Sequence, residues 1–361
     1  MHIKIKDIFF DKEKILNFES SSFLSEYEIR TLFFCKEWLE GKDFFVINTS
    51  GSTGKPKEIK ITRNQMIFSA NNTCNTLKLE ENDSSLICIS TDHIGGKMML
   101  VRGLIKKFFM TLIEPSSNPL EKIDNNEKFD FFSFVPLQLY EIINKTPEKI
   151  FLLNQSKAII IGGGEVSIDL EKKLKNITAP IYSTYGMTET VSHIALRRLN
   201  RDNFFTLLDG IETDIDEREC LVIKSEVTNN ETIITNDVVE FIDKKTFKWL
   251  GRYDNIINSG GIKIQIEELE KRIKNLLLSN NFNNNFFITS IKDEKFGNKI
   301  VIIIEKDKLT EENKEEINLL MKDNLSKYEK PKDFFYVNEI FFTKTGKIMK
   351  DLVFYNINHY I

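Results

Sequence analysis

The chain has 361 residues, 41% hydrophobic and 29% charged, a balance that excludes a disordered polar chain and gives length for two domains. Fifty basic against 54 acidic residues leave a net charge of −4 with no basic stripe, which argues against nucleic-acid binding. No apolar run reaches the ~18–20 residues of a membrane span, and the N-terminus MHIKIKDIFFDKEK returns to charge too soon for a signal peptide, so a soluble, cytoplasmic protein is expected.

From about Asp43 to Tyr185 short apolar runs alternate with helix-period segments. The strand candidates are Phe44–Asn48, Leu86–Ser90, Phe109–Ile113, Phe129–Val135, Ala158–Ile161 and Pro180–Tyr185. Helix candidates lie between them at Asn64–Leu77, Gly96–Lys107, Leu137–Asn144 and Ile168–Lys175, the last after Ser167 as N-cap. This alternation predicts α/β architecture with a parallel-type sheet. From about 204 to 252 only short strands remain, with Asp243–Thr246 as a hairpin turn, and they read as a small β subdomain. After Tyr253 the texture is α+β, with helices at Ile266–Leu278 and Thr310–Leu325 and strands at Asn285–Ile291, Lys299–Glu305 and Phe334–Phe342. The expected division is a large domain over 1–253 and a smaller one over 254–361. Cys35, Cys74, Cys88 and Cys220 are scattered without a C-x-x-C pair and the four His do not join them, so they read as small core residues.

The strongest local signal is T-S-G-S-T-G-K-P-K, Thr49 to Lys57, directly after the strand Phe44–Asn48. Gly51 and Gly54 permit tight positive-φ backbone. Ser50, Ser52 and Thr53 offer hydroxyls beside backbone N–H groups, and Lys55 and Lys57 offer charge, a composition suited to a polyphosphate. The P-loop pattern does not fit, because Thr49 stands where its first Gly would be and Pro56 follows Lys55. Taken alone, the segment also reads as a Ser/Gly surface turn.

Four further segments follow in order: Y-G-M-T-E (Tyr185–Glu189), T-N-D (Thr235–Asp237), G-R-Y-D-N-I-I-N-S-G-G (Gly251–Gly261) and T-K-T-G-K (Thr343–Lys347). With the phosphate loop they resemble, in kind and order, the adenylate-forming superfamily of acyl-CoA synthetases, nonribosomal-peptide adenylation domains and luciferases. The resemblance implies that residues 254–361 form a mobile lid. It implies that Tyr185, with Gly186 and Met187, receives the adenine, that Thr188 meets the α-phosphate, and that Glu189 helps hold Mg²⁺. A carboxylate beside triphosphate is tolerable only with a hard cation between them. Asp237 would accept from the ribose hydroxyls and Arg252 would be a second nucleotide contact; a surface salt bridge is the alternative for either, and a core aromatic for Tyr185. The family's Thr-Gly-Asp has Asn236 in place of Gly, and Asn tolerates left-handed backbone, so a turn is expected there.

Asp254 matches the family's hinge, with an ordinary linker acid as the alternative. Ser259, Gly260 and Gly261 match a turn lying against the pantetheine arm of coenzyme A. Lys347 matches the lysine that bridges carboxylate and α-phosphate, where negative charge accumulates during adenylation. Thr343 replaces the Pro with which that motif commonly begins.

On the acyl side His93, in H-I-G-G, resembles a pocket-lining histidine; a satisfied structural role is the alternative. Gly162, Gly163, Gly164 and Glu165 resemble the glycine turn that walls the pocket and approaches adenine. The stretch Thr190–Asn200, which includes His193, resembles that of bacterial o-succinylbenzoate–CoA ligases of menaquinone synthesis. Such a substrate has two carboxylates, for which Arg197 or Arg198 is a candidate cation, unless both are surface charges. The implied reaction is carboxylate plus ATP giving acyl-adenylate and pyrophosphate, then thiol attack giving a thioester and AMP. Another aryl or acyl acid, or a carrier-protein thiol as acceptor, is the alternative. A non-catalytic nucleotide-binding protein is a third reading, against which Glu189 and Lys347 argue. No oligomeric state follows from the sequence.

Overall fold

The computed structural model describes residues 1–49, 57–259, 262–293, 297–307, 309–342, 348–350 and 353. They fall into two units: Met1–Asp214 with Val222–Ile233 and Phe241–Phe247, and Ile215–Leu221 with Ile234–Glu240 and Lys248–Ile361.

The first unit opens with strands β1 (His2–Ile5) and β2 (Ile8–Asp11), then helices α1 (Lys12–Leu16) and α2 (Glu26–Leu39). Patterning assigns none of these; β1, β2 and α1 span only four or five residues, too few to show a period, whereas α2 runs for 14. The start of α2 is nevertheless legible, since Ser25 and Glu28 close a capping box. β3 (Phe44–Thr49) pairs antiparallel with β4 (Lys57–Thr62), a strand that patterning also misses. Ser50, Gly51, Ser52, Thr53, Gly54, Lys55 and Pro56, between the two, lie outside the described residues.

There follow α3 (Arg63–Leu77), β5 (Ser84–Ile87), α4 (Ile94–Lys106), β6 (Phe109–Leu112), β7 (Phe131–Phe134), α5 (Pro136–Lys145), α6 (Ile150–Asn154), β8 (Ala158–Ile161), α7 (Ile168–Lys173), β9 (Ile181–Gly186), β10 (His193–Arg198) and β11 (Phe205–Leu207). The sheet is parallel in its middle: β1 pairs β6, β6 pairs β5, β5 pairs β7, β7 pairs β8 and β8 pairs β9. β2 adds an antiparallel edge beyond β1, and β10 runs antiparallel to β9. Every residue of β7 and β8 is buried, as interior parallel strands require. On one face Phe132, Phe134, Ile159 and Ile161 pack with Leu139 and Ile142 of α5, Leu152 of α6 and Leu170 of α7.

Each of the next four strands contributes residues to both units: β12 (Ile211–Ile215), β13 (Cys220–Ser225), β14 (Ile233–Phe241) and β15 (Thr246–Arg252). The second unit continues with β16 (Ile256–Ser259), β17 (Ile262–Gln265), α8 (Ile266–Ser279), β18 (Phe286–Asp293), β19 (Gly297–Glu305), α9 (Glu311–Asn324) and β20 (Asp333–Val337). β19 lies between antiparallel β18 and parallel β20. Its unbroken run Ile300–Ile304 is buried on both sides. Ile300, Ile302 and Ile304 meet Leu269, Ile273 and Leu277 of α8 and Ile317 and Met321 of α9, while Val301 and Ile303 meet Phe287, Ile340 and Val353.

α4 enters the first unit through two adjacent glycines with opposite surroundings. A Cβ on buried Gly96 would lie 2.3 Å from the Ser90 carbonyl oxygen and 2.7 Å from that of Ile89, whereas one on exposed Gly95 would meet nothing nearer than 4.0 Å. Gly96→Ala should therefore destabilise by about 2–3 kcal/mol, while Gly95→Ala should be neutral or gain up to about 1 kcal/mol. Urea melts of the two variants read the contrast, and equal midpoints would show that the α4 entry is not as close as this.

Candidate active site

Because β5, β7, β8 and β9 are parallel, their carboxyl ends share one edge of the sheet, where open α/β sheets take ligands. Three of the singled-out segments follow these ends: His93 after β5, Gly162–Glu165 after β8, and Tyr185–Glu189 where β9 finishes. The glycine turn is tied to the sheet by Gly162 N–H donating to the Phe134 carbonyl at 3.0 Å. A Cβ there would stand 2.8 Å from Thr184 Oγ1, and Gly163 has φ +79°, so the turn accepts no side chain at either position without strain. Gly164 and Glu165 are exposed beyond it. His93 is the exposed N-cap residue of α4, and its side chain makes no cap bond.

Tyr185 is half-buried, with its ring edge-on to Phe247 at 5.3 Å and 5.8 Å from Phe205. Gly186 abuts the incoming strand so closely that a Cβ would lie 2.3 Å from the Ser192 carbonyl oxygen. Met187 N–H donates to Thr190 Oγ1 at 3.0 Å, closing a single 3-10 turn, Thr188–Thr190, that leaves Thr188 half-buried and Glu189 exposed. Val191 then takes φ +66° and ψ −54°, with Ser192 N–H donating to the Thr190 carbonyl at 2.7 Å. This is a γ-turn on a buried β-branched residue, a strained arrangement. Among the described residues no three His, Cys, Asp or Glu side chains group to hold a metal. Exposed Glu189 suits Mg²⁺, which binds through one or two carboxylates and substrate phosphates rather than an all-protein cage.

Past the γ-turn the chain meets a buried polar cluster. His193 Nε2 lies 3.0 Å from Thr73 Oγ1, and burial, then the charge of Arg102, hold its imidazole well below the usual histidine range. Arg102, 1% exposed on α4, donates from Nη2 to Thr73 Oγ1 at 3.2 Å and to Ser192 Oγ at 3.0 Å. Its Nε is buried with no partner, and among the described residues no carboxylate pairs with it; desolvation pulls the guanidinium down to about 10. Sequence reading missed Arg102 and Thr73. The available signal was a cation inside the apolar run M-M-L-V-R-G-L-I, Met98 to Ile105. Of the two candidates from the sequence, Arg197 is instead engaged by Glu171, at 3.2 and 3.0 Å, and Arg198 faces a surface cleft with Lys175 and Arg201.

In the second unit Asp237 is buried in β14, its Oδ1 accepting from Trp249 Nε1 at 3.2 Å and from Arg252 Nη1 at 3.4 Å. Arg252 also donates to Asp254 Oδ2 at 3.2 Å. Asn236 does not make the expected turn. It lies within strand β14 without a positive φ, because its amide is used instead, donating to Asp254 at 3.0 Å and accepting from Arg218 Nη1 at 2.9 Å. Arg218 and Trp249 were not foreseen. Ser259 is buried at the end of β16. Gly260, Gly261 and Lys347 lie outside the described residues, and of Thr49 and Lys57 the structure describes the backbone pairing of one with the other.

The family described as AMP-binding enzyme matches residues 8–217. A 2-succinylbenzoate–CoA ligase of Lactococcus lactis is 24% identical over 325 residues, covering 84% of this chain and 69% of that protein. The chain spans 64–69% of the length of such curated ligases. Among solved structures, the acyl-CoA synthetase (AMP-forming)/AMP-acid ligase II-like protein of Dyadobacter fermentans is 36% identical, with TM-score 0.65 over 96% of this chain and 99% of that one. The o-succinylbenzoate coenzyme A synthetase of Bacillus subtilis, solved with ATP and magnesium, shares the fold at TM-score 0.69 and 22% identity over 85% of this chain and 68% of that one.

A buried neutral histidine makes stability pH-dependent. The native imidazole resists protonation while the unfolded one titrates near its ordinary value of about 6.5, so His193 contributes stability above that pH and loses it as pH falls. Unfolding free energy should drop by up to about 1.4 kcal/mol per unit below pH 6.5 on its account. His193→Gln should flatten that limb in urea melts at pH 7.5, 6.5 and 5.5; parallel losses in parent and variant would assign the slope elsewhere.

Proposed function

The chain belongs to the AMP-binding enzyme family as an AMP-forming acid–thiol ligase, and we propose that the acid it activates is 2-succinylbenzoate. ATP with Mg²⁺ supplies the adenylate and coenzyme A is the thiol. In the first step a carboxylate oxygen attacks the α-phosphorus, the bond to the β-phosphate oxygen breaks, and pyrophosphate leaves. In the second the thiolate attacks the acyl carbon and AMP leaves, giving the thioester.

In this reading the residues divide by element. Thr49 to Lys57 cradle the β- and γ-phosphates, and Gly162–Glu165 with Tyr185–Met187 frame the adenine. Thr188 and Glu189, one 3-10 turn beyond β9, address the α-phosphate and its Mg²⁺. Asp237, oriented by Trp249 and Arg252, takes the ribose hydroxyls. Residues 254–361 turn about Asp254 and bring Lys347 to the attacking carboxylate, where it offsets accumulating charge; Ser259, Gly260 and Gly261 then lie along the pantetheine arm. His93 and His193 belong to the acyl side.

One observation favours a dicarboxylic acid over a simple one: Arg102, fully buried without a carboxylate partner among the described residues. A desolvated, uncompensated guanidinium is costly, and a second carboxylate on the substrate would offset that cost. Arg197 does not serve, because Glu171 already engages it.

Pyrophosphate exchange into ATP should depend on added 2-succinylbenzoate and be weak with benzoate or fatty acids; a preference for one of those acids would overturn the substrate assignment. Arg102→Met should leave the chain folded and reduce kcat/KM for 2-succinylbenzoate about 100-fold, the worth of a charged hydrogen-bonded contact. Lys347→Ala should abolish adenylation but still form thioester from supplied acyl-adenylate, and unimpaired adenylation would show that Lys347 does not assist the attacking carboxylate.

A further inference from the structure

Thr73 has one hydroxyl proton and three polar neighbours, and one arrangement makes all three contacts hydrogen bonds. The proton goes one helical turn back, to the Ser69 carbonyl at 3.0 Å. The oxygen can then only accept. It accepts from Arg102 Nη2 at 3.2 Å, since a guanidinium has no acceptor. It also accepts from His193 Nε2 at 3.0 Å, so Nε2 carries the proton of the neutral ring. His193 Nδ1 is left as an acceptor, facing the Ser192 hydroxyl at 3.4 Å. With that hydroxyl proton directed to Nδ1, the Ser192 oxygen accepts the other Nη2 proton of Arg102, at 3.0 Å. Thr73 comes from α3, Arg102 from α4 and the Ser192–His193 pair from the start of β10, so three elements agree on one proton arrangement.

Both Nη2 protons of Arg102 are thereby spent inside the protein, and the plane of the guanidinium is set. What remains is Nε–H, buried and unpartnered, and the Nη1 pair. We propose that Thr73 is a positioning residue: its hydroxyl holds Arg102, through a fixed His193 tautomer, in the one orientation that offers those donors to the second carboxylate of the acid substrate. The inference rests on the reading that Arg102 receives that carboxylate. Thr73 itself touches no substrate in it. Its contribution is selectivity between acids that have a second carboxylate and acids that lack one.

Thr73→Val keeps the shape and removes the acceptor; Thr73→Ser keeps the hydroxyl. Steady-state kinetics would use 2-succinylbenzoate and the two analogues that each retain one of its carboxylates, 2-butanoylbenzoate and 4-oxo-4-phenylbutanoate. Thr73→Val should raise KM for 2-succinylbenzoate about tenfold, the scale of one lost hydrogen bond, with KM for ATP and for any analogue turned over changed less than twofold. Thr73→Ser should restore the parent value. In parallel, ¹⁵N imidazole NMR of the ligand-free chain reads the tautomer, with His193 identified among the four His by its loss in His193→Gln. Parent and Thr73→Ser should show the proton on Nε2, and Thr73→Val a mixture or Nδ1–H. Equal KM changes for every acid and for ATP would mark Thr73 as merely structural, and Nδ1–H in the parent would overturn the proton arrangement outright. No turnover of 2-succinylbenzoate by the parent would count against the substrate reading, while the NMR arm still decides the arrangement around Thr73.

Discussion

A guanidinium taken out of water costs several kcal/mol unless its donors are met, and among the described residues Arg102 has only its Nη2 protons met. The surroundings of α4 bear the marks of that constraint. Its entry needs Gly96 against the Ser90 carbonyl, its partner helix contributes a threonine rather than an aliphatic residue, and β10 begins with a serine and a neutral histidine. Each of these is a weaker choice for packing than an apolar residue would be. Together they surround one buried cation with two hydroxyl acceptors, which tie α4 to α3 and to the start of β10.

The nucleotide half is held differently. Parallel pairing from β5 to β9 brings the loops after β5, β8 and β9 to one edge without a special residue at each strand. Glycine is demanded at Gly162 and Gly186, where backbone meets side chain or backbone, and at Gly163, where φ is +79°; Val191 holds the strained γ-turn. That γ-turn stands between Glu189 and Ser192, so a single distorted residue separates the 3-10 turn after β9 from the cluster around Arg102.

Most of the interior sheet was legible because runs such as Ala158–Ile161 and Phe131–Phe134 are buried on both faces and read as unbroken apolar strings. The first forty residues were not read: HIKI and IFFD are too short to show a period, and the 14-residue α2 was passed over although its capping box stands in the sequence. The family was legible as composition at fixed order, which survives without knowledge of the fold. Arg102 was invisible because it is one of three cations on α4, with Lys97 and Lys106, and only burial separates a sealed cation from one that reaches water along its aliphatic stem. Asn236 misled for a related reason: tolerance of left-handed backbone is a permission, and the strand used the amide for Asp254 and Arg218 instead.

The interleaving of the two units has a consequence for how such a chain can change over generations. Ile215–Leu221 and Ile234–Glu240 are encoded within the first unit's span yet belong to the second. A single recombination crossover near 253 would therefore give the incoming C-terminal segment two foreign strand stretches as partners. Because Val222–Ile233, between those two stretches, belongs to the first unit, no single crossover separates the two units cleanly.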